Sequence, residues 1–494
     1  MTKVIIIGAG FSGLSSATIL ASKGYEVTVI EKHDIPGGRA RQFSEKGFTF
    51  DMGPSWYWMP DVFERFFGLF GKKTSDFYNL KRLDPSYRVY WGNGESDIPA
   101  DYNEFSEFFE NNESGSAKNL NKFLEEAKFK YEIGINKLVQ KPGRSLSEFL
   151  DADVIKGFFK LDVFNSVKNH IGKFFKSEKI KQLLEFPVLF LGALPENTPA
   201  LYSLMNYADI KLGTWYPEGG MYKIIDAMFQ LAKEKGVQFK FGHEVNAFSF
   251  KNNKISGINV MNRGISKEIS ADVFIGSADY HFIESKLLPE KLRSYSDKYW
   301  GSRKMAPSCL LYFVGLNKKI ANIQHHSLFF DVDFGQHADE IYKHAKWPEN
   351  PLFYVSATSV SDKTVAPEGN ENLFFLIPVA AGLQDDTQEL RSKYFDLIID
   401  RFEKRIGEEI KSSIVYIKNF GPTDFVNEYN AFKGNAYGLA NTLFQTALFK
   451  PSCKSKKVPN LFYTGQLTVP GPGVPPCIIS GEVVAKEVMK SFKK

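Results

Sequence analysis

Val4-Ile5-Ile6-Ile7-Gly8-Ala9-Gly10-Phe11-Ser12-Gly13 joins a continuous apolar run to three glycines in the spacing G-x-G-x-x-G. Four β-branched residues in a row fit a strand covered on both faces, as in a parallel sheet. Beyond the glycines, Leu14, Ala17, Ile19 and Leu20 give a helical apolar face that ends at Gly24, and residues 26–30 read as a second strand closing on the acid Glu31. Strand, glycine turn, helix, strand and acid in this order form the dinucleotide-binding fingerprint in its full context. Gly8 permits the tight turn, Gly10 lets the backbone approach a pyrophosphate, and Gly13 lets the helix pack on the strand. Ala9, Phe11 and Ser12 complete the turn and the helix N-terminus, where free N–H groups and the helix dipole favour an anion. Glu31 stands eighteen residues after Gly13, placed to accept from ribose hydroxyls, with Lys32 beside it.

Pro36-Gly37-Gly38-Arg39-Ala40 follows soon after. Two glycines and an arginine let the chain pass close to the pyrophosphate from its other side; the plainer reading of Arg39 is a surface salt bridge. At the far end, Leu461-Phe462-Tyr463-Thr464-Gly465-Gln466 reads as a strand and turn, and Gly471-Pro472-Gly473-Val474-Pro475-Pro476 leads into a helix expected over 477–492. Prolines suit the first turn of such a helix, and glycines allow close backbone approach.

With 494 residues, the chain is too long for one simple core. Its 45 Phe and 22 Tyr suit either an aromatic core or a large apolar ligand site, and the core is the safer reading. A net charge of +5 is mild and argues, with the lack of any nucleic-acid motif, against nucleic-acid binding. The three cysteines, Cys309, Cys453 and Cys477, have no metal-type spacing, and a reducing compartment is expected. The first strand begins at residue 3, so no signal peptide is expected, and no apolar run approaches the roughly 18 residues of a membrane span.

Along the chain, Val62, Phe63, Phe66, Phe67 and Phe70 share a helical face after the aromatic loop 55–60. Residues 87–91 read as a strand, 111–119 as a polar loop, and 120–138 as a long amphipathic helix. Phe164, Val167, Ile171, Phe174 and Phe175 share a second face, beside or opposite Lys168, Lys173, Lys176 and Lys179. A basic amphipathic helix of this kind fits either an anionic membrane surface or ordinary packing with a solvated lysine face. The apolar run 186–191 can be buried or lipid-facing. His325-His326 with Asp331 and Asp333 meets no metal-ligand spacing, so no metal is expected. The chain divides into a discontinuous dinucleotide-binding domain (1–90, 210–285 and 458–494), a helical region (91–209) and a domain with a mixed sheet (286–457).

Several blocks together resemble one family. The N-terminal fingerprint with Gly37-Gly38-Arg39 is similar to the two-dinucleotide-domain flavoproteins of the amine oxidase and carotenoid desaturase superfamily. Asp51-Met52-Gly53-Pro54-Ser55, Gly213-Thr214-Trp215-Tyr216-Pro217-Glu218-Gly219-Gly220, Gly434-Asn435-Ala436-Tyr437-Gly438-Leu439, Tyr463-Thr464-Gly465-Gln466 and Pro470-Gly471-Pro472-Gly473-Val474-Pro475 resemble the bacterial-type phytoene desaturases, from end to end of the chain. One departure is Gln466, where many flavoproteins of the wider superfamily carry an acid.

The resemblance implies an α/β fold, with a Rossmann-like FAD domain, an inserted mixed-sheet substrate domain and a helical insertion. It implies FAD-dependent removal of hydrogens from a long apolar polyene such as phytoene, with FAD held by Gly8 to Gly13, Glu31, Lys32, Gly38, Arg39, Gly465, Gln466, Gly473 and Val474. A helix N-terminus aimed at the flavin ring would stabilise negative charge on the reduced ring. No second dinucleotide fingerprint is found, so oxygen or a membrane quinone is expected to reoxidise the flavin. No residue stands out as the proton acceptor. The expected location is the cytoplasm, peripherally on a membrane. The rival readings are a sister carotenoid enzyme (a hydroxycarotenoid desaturase, isomerase or oxygenase), an amine oxidase, and a non-enzymatic prenyl-binding protein of the Rab escort or dissociation-inhibitor type.

Overall fold

The computed structural model describes residues 1–145, 148, 161–189 and 192–492. The opening fingerprint forms as read: strand Lys3–Ile7, helix Phe11–Ser22, strand Glu26–Ile30. These strands belong to a five-stranded parallel sheet in the order Leu461–Tyr463, Val273–Gly276, Lys3–Ile7, Glu26–Ile30, Gln238–Lys240. The first strand is central, and the chain winds away from it to both sides. Its C-terminal end is therefore a topological switch point, where open α/β sheets bind ligands. Val4 and Ile6 pack with the first helix and with the helices Tyr222–Glu234 and Val474–Ser491. Ile5 and Ile7 face a three-stranded antiparallel layer, Glu244–Lys251, Lys254–Asn262 and Ile265–Ser270. Burial on both faces is why this strand carries no polar alternation.

A seven-stranded mixed sheet forms the second layer, in the order Ile414–Phe420, Ser308–Leu316, Glu371–Val379, Phe353–Ser356, His326–Phe330, Tyr87–Trp91, Glu95–Ile98. Its inner strands alternate. Leu310 and Tyr312 pack under the helix Gln388–Ile406, while Cys309 and Leu311 face the interior cavity described below.

The structure corrects several expectations. Tyr87–Trp91, expected as a strand leading out of the first dinucleotide-binding segment, is a strand of the mixed sheet, paired in parallel with His326–Phe330. The polar loop at 111–119 shrinks to residues 113–115, because helix Tyr102–Asn112 runs into it and helix Ser116–Ile133 starts early. The last helix starts at Val474, not 477, with both prolines in its first turn, where their missing N–H groups cost nothing. The basic amphipathic face is covered by protein over most of its length, while Phe164 is 80% exposed. Among its described residues Val167–Gly172 is helical and Lys179 falls in the next helix, Glu178–Leu189; Val167, Ile171 and Phe175 are buried, with the Phe175 ring against Phe109 and Phe123. Much of the rest of that stretch (149–160), with Phe190 and Leu191 of the apolar run, lies outside the described residues. The Val62–Phe67 face is core, clamped to the last helix through Arg65 and Glu482 at 2.7 Å. No described helix is long and apolar enough to cross a membrane.

Candidate functional site

The C-terminal ends of the parallel strands open onto one continuous cavity of ≈ 470 Å³. Gly8, Gly10, Phe11, Ser12, Glu31, Lys32, Gly38, Arg39, Gly465, Gln466, Gly473 and Val474 all line it, though they come from four separate parts of the chain. Ala9 and Gly13 serve from behind. Ala9 N–H donates to Glu31 Oε2 at 2.8 Å, and His33 N–H donates to Oε1 at 3.0 Å, so the buried carboxylate is fixed with acceptor capacity left for a ligand. Gly13 lies so close to the strand that a Cβ there would stand 2.1 Å from Gly8 O.

A dinucleotide needs a cradle for its phosphates, and the residues fit one. Gly10 caps the first helix, and a Cβ built on it would meet nothing within 4 Å. The space beyond this helix N-terminus is open, with Gly38 across it. Arg39 is no surface salt bridge. Its guanidinium reaches Asn435 O at 3.3 Å and, in the amide orientation that satisfies both groups, donates to the Gln466 side-chain oxygen at 3.1 Å. Its Nε is buried without a partner, and no carboxylate lies within ion-pair distance of it among the described residues. Burial lowers its pKa, with Asp279 opposing the effect from further off. A desolvated cation facing an open cradle is the donor chemistry that an anionic ligand satisfies. Lys32 contributes differently from expectation: its Nζ donates to Asn427 O at 3.0 Å.

From this cradle the cavity continues into an apolar arm beneath the mixed sheet. Trp56, Trp58, Phe186, Leu311, Leu328, Phe330, Tyr342, Tyr354, Leu376 and Tyr437 line it. The N-terminus of the last helix, at Gly473, stands in the same cavity together with Cys309 and Cys477. Two helix N-termini, neither with a side-chain cap, thus open into one space.

Comparison with known proteins sets this geometry in a family. The flavin containing amine oxidoreductase family matches residues 11–489. A carotenoid 3,4-desaturase of Haloarcula japonica is 37% identical over 99% of this chain and 98% of its own. A zeta-carotene-forming phytoene desaturase of Myxococcus xanthus is 30% identical over 99% of this chain and 94% of its own. The chain belongs to the carotenoid desaturases. The fold is likewise that of an oxidoreductase from Methanosarcina mazei, at a TM-score of 0.65 and 17% identity, covering 98% of this chain and 100% of that one.

Membership in the carotenoid desaturases makes the chain a flavin-dependent oxidoreductase. Residues that sequence reasoning missed also line the desaturase cavity. Ser277, Ala278 and Asp279 follow the strand Val273–Gly276, whose glycine end was the available signal. Tyr429, on which the guanidinium groups of Arg39 and Arg41 lie at 5.4 and 5.3 Å, gave no sequence signal. Neither His325 nor His326 belongs to a metal-ligating cluster among the described residues. His326 stacks on Trp56 and bonds Tyr354 Oη at 2.6 Å, Asp331 pairs with Arg401, and Asp333 caps the helix Phe334–Tyr342. His337, in the arm, is equally committed: Leu352 N–H donates to its Nδ1 and its Nε2 faces Pro378 O, while burial pushes its pKa down to about 4.

Proposed function

We propose that the chain binds FAD and dehydrogenates a long acyclic carotenoid such as phytoene. The observation that carries this reading is the single cavity that joins a glycine cradle to an aromatic arm. Bound there, the flavin would supply the redox chemistry by accepting hydride from an allylic carbon. The chain's own part is to bind, orient and exclude water. Gly8, Gly10 and Gly38 give the phosphates room, Glu31 accepts from the ribose, and the N-terminus of the last helix favours negative charge at the ring. Aromatic walls hold the polyene against the ring and keep water out. Without a second dinucleotide fingerprint, oxygen or a quinone is the acceptor we favour. The test is purification and product analysis: a yellow protein, with chromatography of polyenes after aerobic and anaerobic incubation with phytoene in liposomes. A colourless protein that yields no dehydrogenated polyene would overturn the reading and favour a prenyl carrier. The 37% identity to a carotenoid 3,4-desaturase favours a second reading, dehydrogenation of a later carotenoid at its 3,4 bond, which the same product analysis separates.

Arg39→Met should weaken flavin binding by about 1.5–3 kcal/mol, the range for a hydrogen bond to a charged group. Equilibrium dialysis against FAD measures it, and unchanged affinity would remove Arg39 from the cradle.

The substrate is too apolar to cross water freely, so we place the enzyme on a membrane surface. With the Val167/Ile171/Phe175 face buried, the contact we favour is the exposed aromatic pair Phe444 and Phe449, whose rings stand 6.1 Å apart on a surface segment. Phe444→Ser/Phe449→Ser is expected to lower co-sedimentation with liposomes several-fold while leaving the melting temperature unchanged. Binding equal to wild type would exclude this pair.

A further inference from the structure

Folding strands one cation, Lys450, away from any acid. It is only 5% exposed, its Nζ donates to Asn441 Oδ1 at 2.9 Å, and no carboxylate lies within ion-pair distance of it among the described residues. Other buried cations of this chain are paired: Arg391 with Asp386 and Asp424, and Arg88 with Asp97. Loss of water lowers the pKa of Lys450 to about 7. A desolvated ammonium with no counter-charge destabilises the fold, and groups held in this state concentrate at functional sites.

Its surroundings indicate which charge it answers. The ammonium lies directly against the loop that leads into the last helix. A Cβ at Gly471, which sits at φ +137°, would stand 3.1 Å from Lys450 Nζ and 3.4 Å from Asn441 Oδ1. The next two residues, Pro472 and Gly473, line the cavity, and the helix begins at Val474. Lys450 itself is not part of the lining, so the loop separates the ammonium from the cavity. The segment that carries it is fixed to the chain just before this loop, since Thr468 Oγ1 donates to Pro451 O at 2.6 Å. A protein interior screens charge poorly. At an effective dielectric constant of about 20, unit charges about 10 Å apart shift an equilibrium by roughly tenfold.

We propose that Lys450 is a positioning residue for the flavin: its positive charge, held behind the loop Pro470 to Gly473 by Asn441, favours the reduced ring over the oxidised ring and raises the reduction potential. The proposal rests on the reading that a flavin occupies the cavity with its ring at this loop. Hydride from the polyene brings two electrons and one proton to a neutral ring, which becomes an anion. The ammonium keeps its own protons and balances that negative charge across the loop. The neutral oxidised ring gains nothing comparable. Lys450 thus adds a full charge to the partial charge of the helix N-terminus.

The experiment measures the midpoint potential of the bound flavin, by equilibrium reduction against a reference dye, at about pH 6, below the pKa of Lys450. Lys450→Met keeps the length of the side chain without its charge. It should cut the preference for reduced over oxidised flavin about tenfold, a fall of about 30 mV for a two-electron couple. Asn441→Asp sets a carboxylate beside the ammonium at almost unchanged volume. It should lower the potential in the same direction, and it decides the matter if Lys450→Met does not fold. A lysine that only braces the loop would change the melting temperature and leave the potential alone. An unchanged potential in either variant, folded and loaded with flavin, therefore overturns the role of Lys450. Wild-type protein that takes up no flavin overturns the flavin reading itself, and the proposal with it.

Discussion

Gly10→Val yields a protein that folds and carries no flavin. The two halves of this result come from different observations. Gly10 has ordinary extended dihedrals, and nothing lies within 4 Å of where its Cβ would stand, so the valine meets no protein atom there. Replacing a helix-capping glycine by a β-branched residue costs about 1 kcal/mol of stability at most. The same open space is where a pyrophosphate meets the helix N–H groups. A side chain there costs the phosphate contacts and the dipole together, on the order of 4 kcal/mol, or about a thousandfold in affinity. Gly13 supplies the control. A Cβ at Gly13 would stand 2.1 Å from Gly8 O and 2.9 Å from Ser277 Oγ, so Gly13→Ala must push helix from strand and should lower the melting temperature sharply. Flavin absorbance per protein and thermal melting, measured on both variants, separate ligand cradle from packing. Full flavin content in folded Gly10→Val would show that the phosphates lie elsewhere.

Gly473→Leu abolishes turnover with the flavin still bound. Gly473 sits at φ +110° and ψ +158°, a region open in practice only to glycine, and a Cβ there would lie 3.2 Å from Pro476 Cδ. A leucine therefore imposes about 1–3 kcal/mol of backbone strain, which the first turn of the last helix relieves by moving. Pro475 and Pro476 carry no N–H and Cys477 N–H bonds Gly473 O, so the turn offers the cavity the N–H groups of Gly473 and Val474 with the helix dipole behind them, and misplacement by a fraction of an ångström removes stabilisation of developing charge. The leucine side chain also enters space the polyene would need. The phosphate cradle at Gly8, Gly10 and Gly38 is untouched. We expect a loss of at least about a hundredfold in kcat, near 3 kcal/mol of barrier. Gly473→Ala should give a smaller loss from strain alone. Product analysis alongside flavin absorbance decides the matter, and normal yield from Gly473→Leu would remove this turn from the ring's surroundings.

These predictions rest on residues legible in the amino-acid sequence, and their legibility has a local cause. Val4 to Gly13 specifies strand, turn and helix through backbone sterics and apolar periodicity, which act within a few residues. Hence the opening unit forms with its bounds nearly as read. The prolines and glycines before the last helix are equally local signals. They misled only by three residues, because the prolines occupy the first turn instead of preceding it. The family blocks extended that legibility to the cofactor class through resemblance alone; the block Gly213 to Gly220 stands outside the cavity lining.

What the tertiary structure alone decided depends on partners distant in sequence. Tyr87–Trp91 has the pattern of a buried strand in either sheet, and only its pairing with His326–Phe330 assigns it to the second. Val167, Ile171 and Phe175 make the same stripe whether lipid or protein covers them; all three turn out buried in the core, the Phe175 ring against Phe109 and Phe123 of two other helices. That Arg39 is buried with no carboxylate partner among the described residues was likewise invisible, because a missing partner is a property of every element around a side chain. The sequence by itself therefore determined the dinucleotide cradle and its order along the chain, through short-range backbone constraints. Only the folded chain decided which faces are covered and which polar groups are left for a ligand, because burial is set by contacts made across the whole molecule.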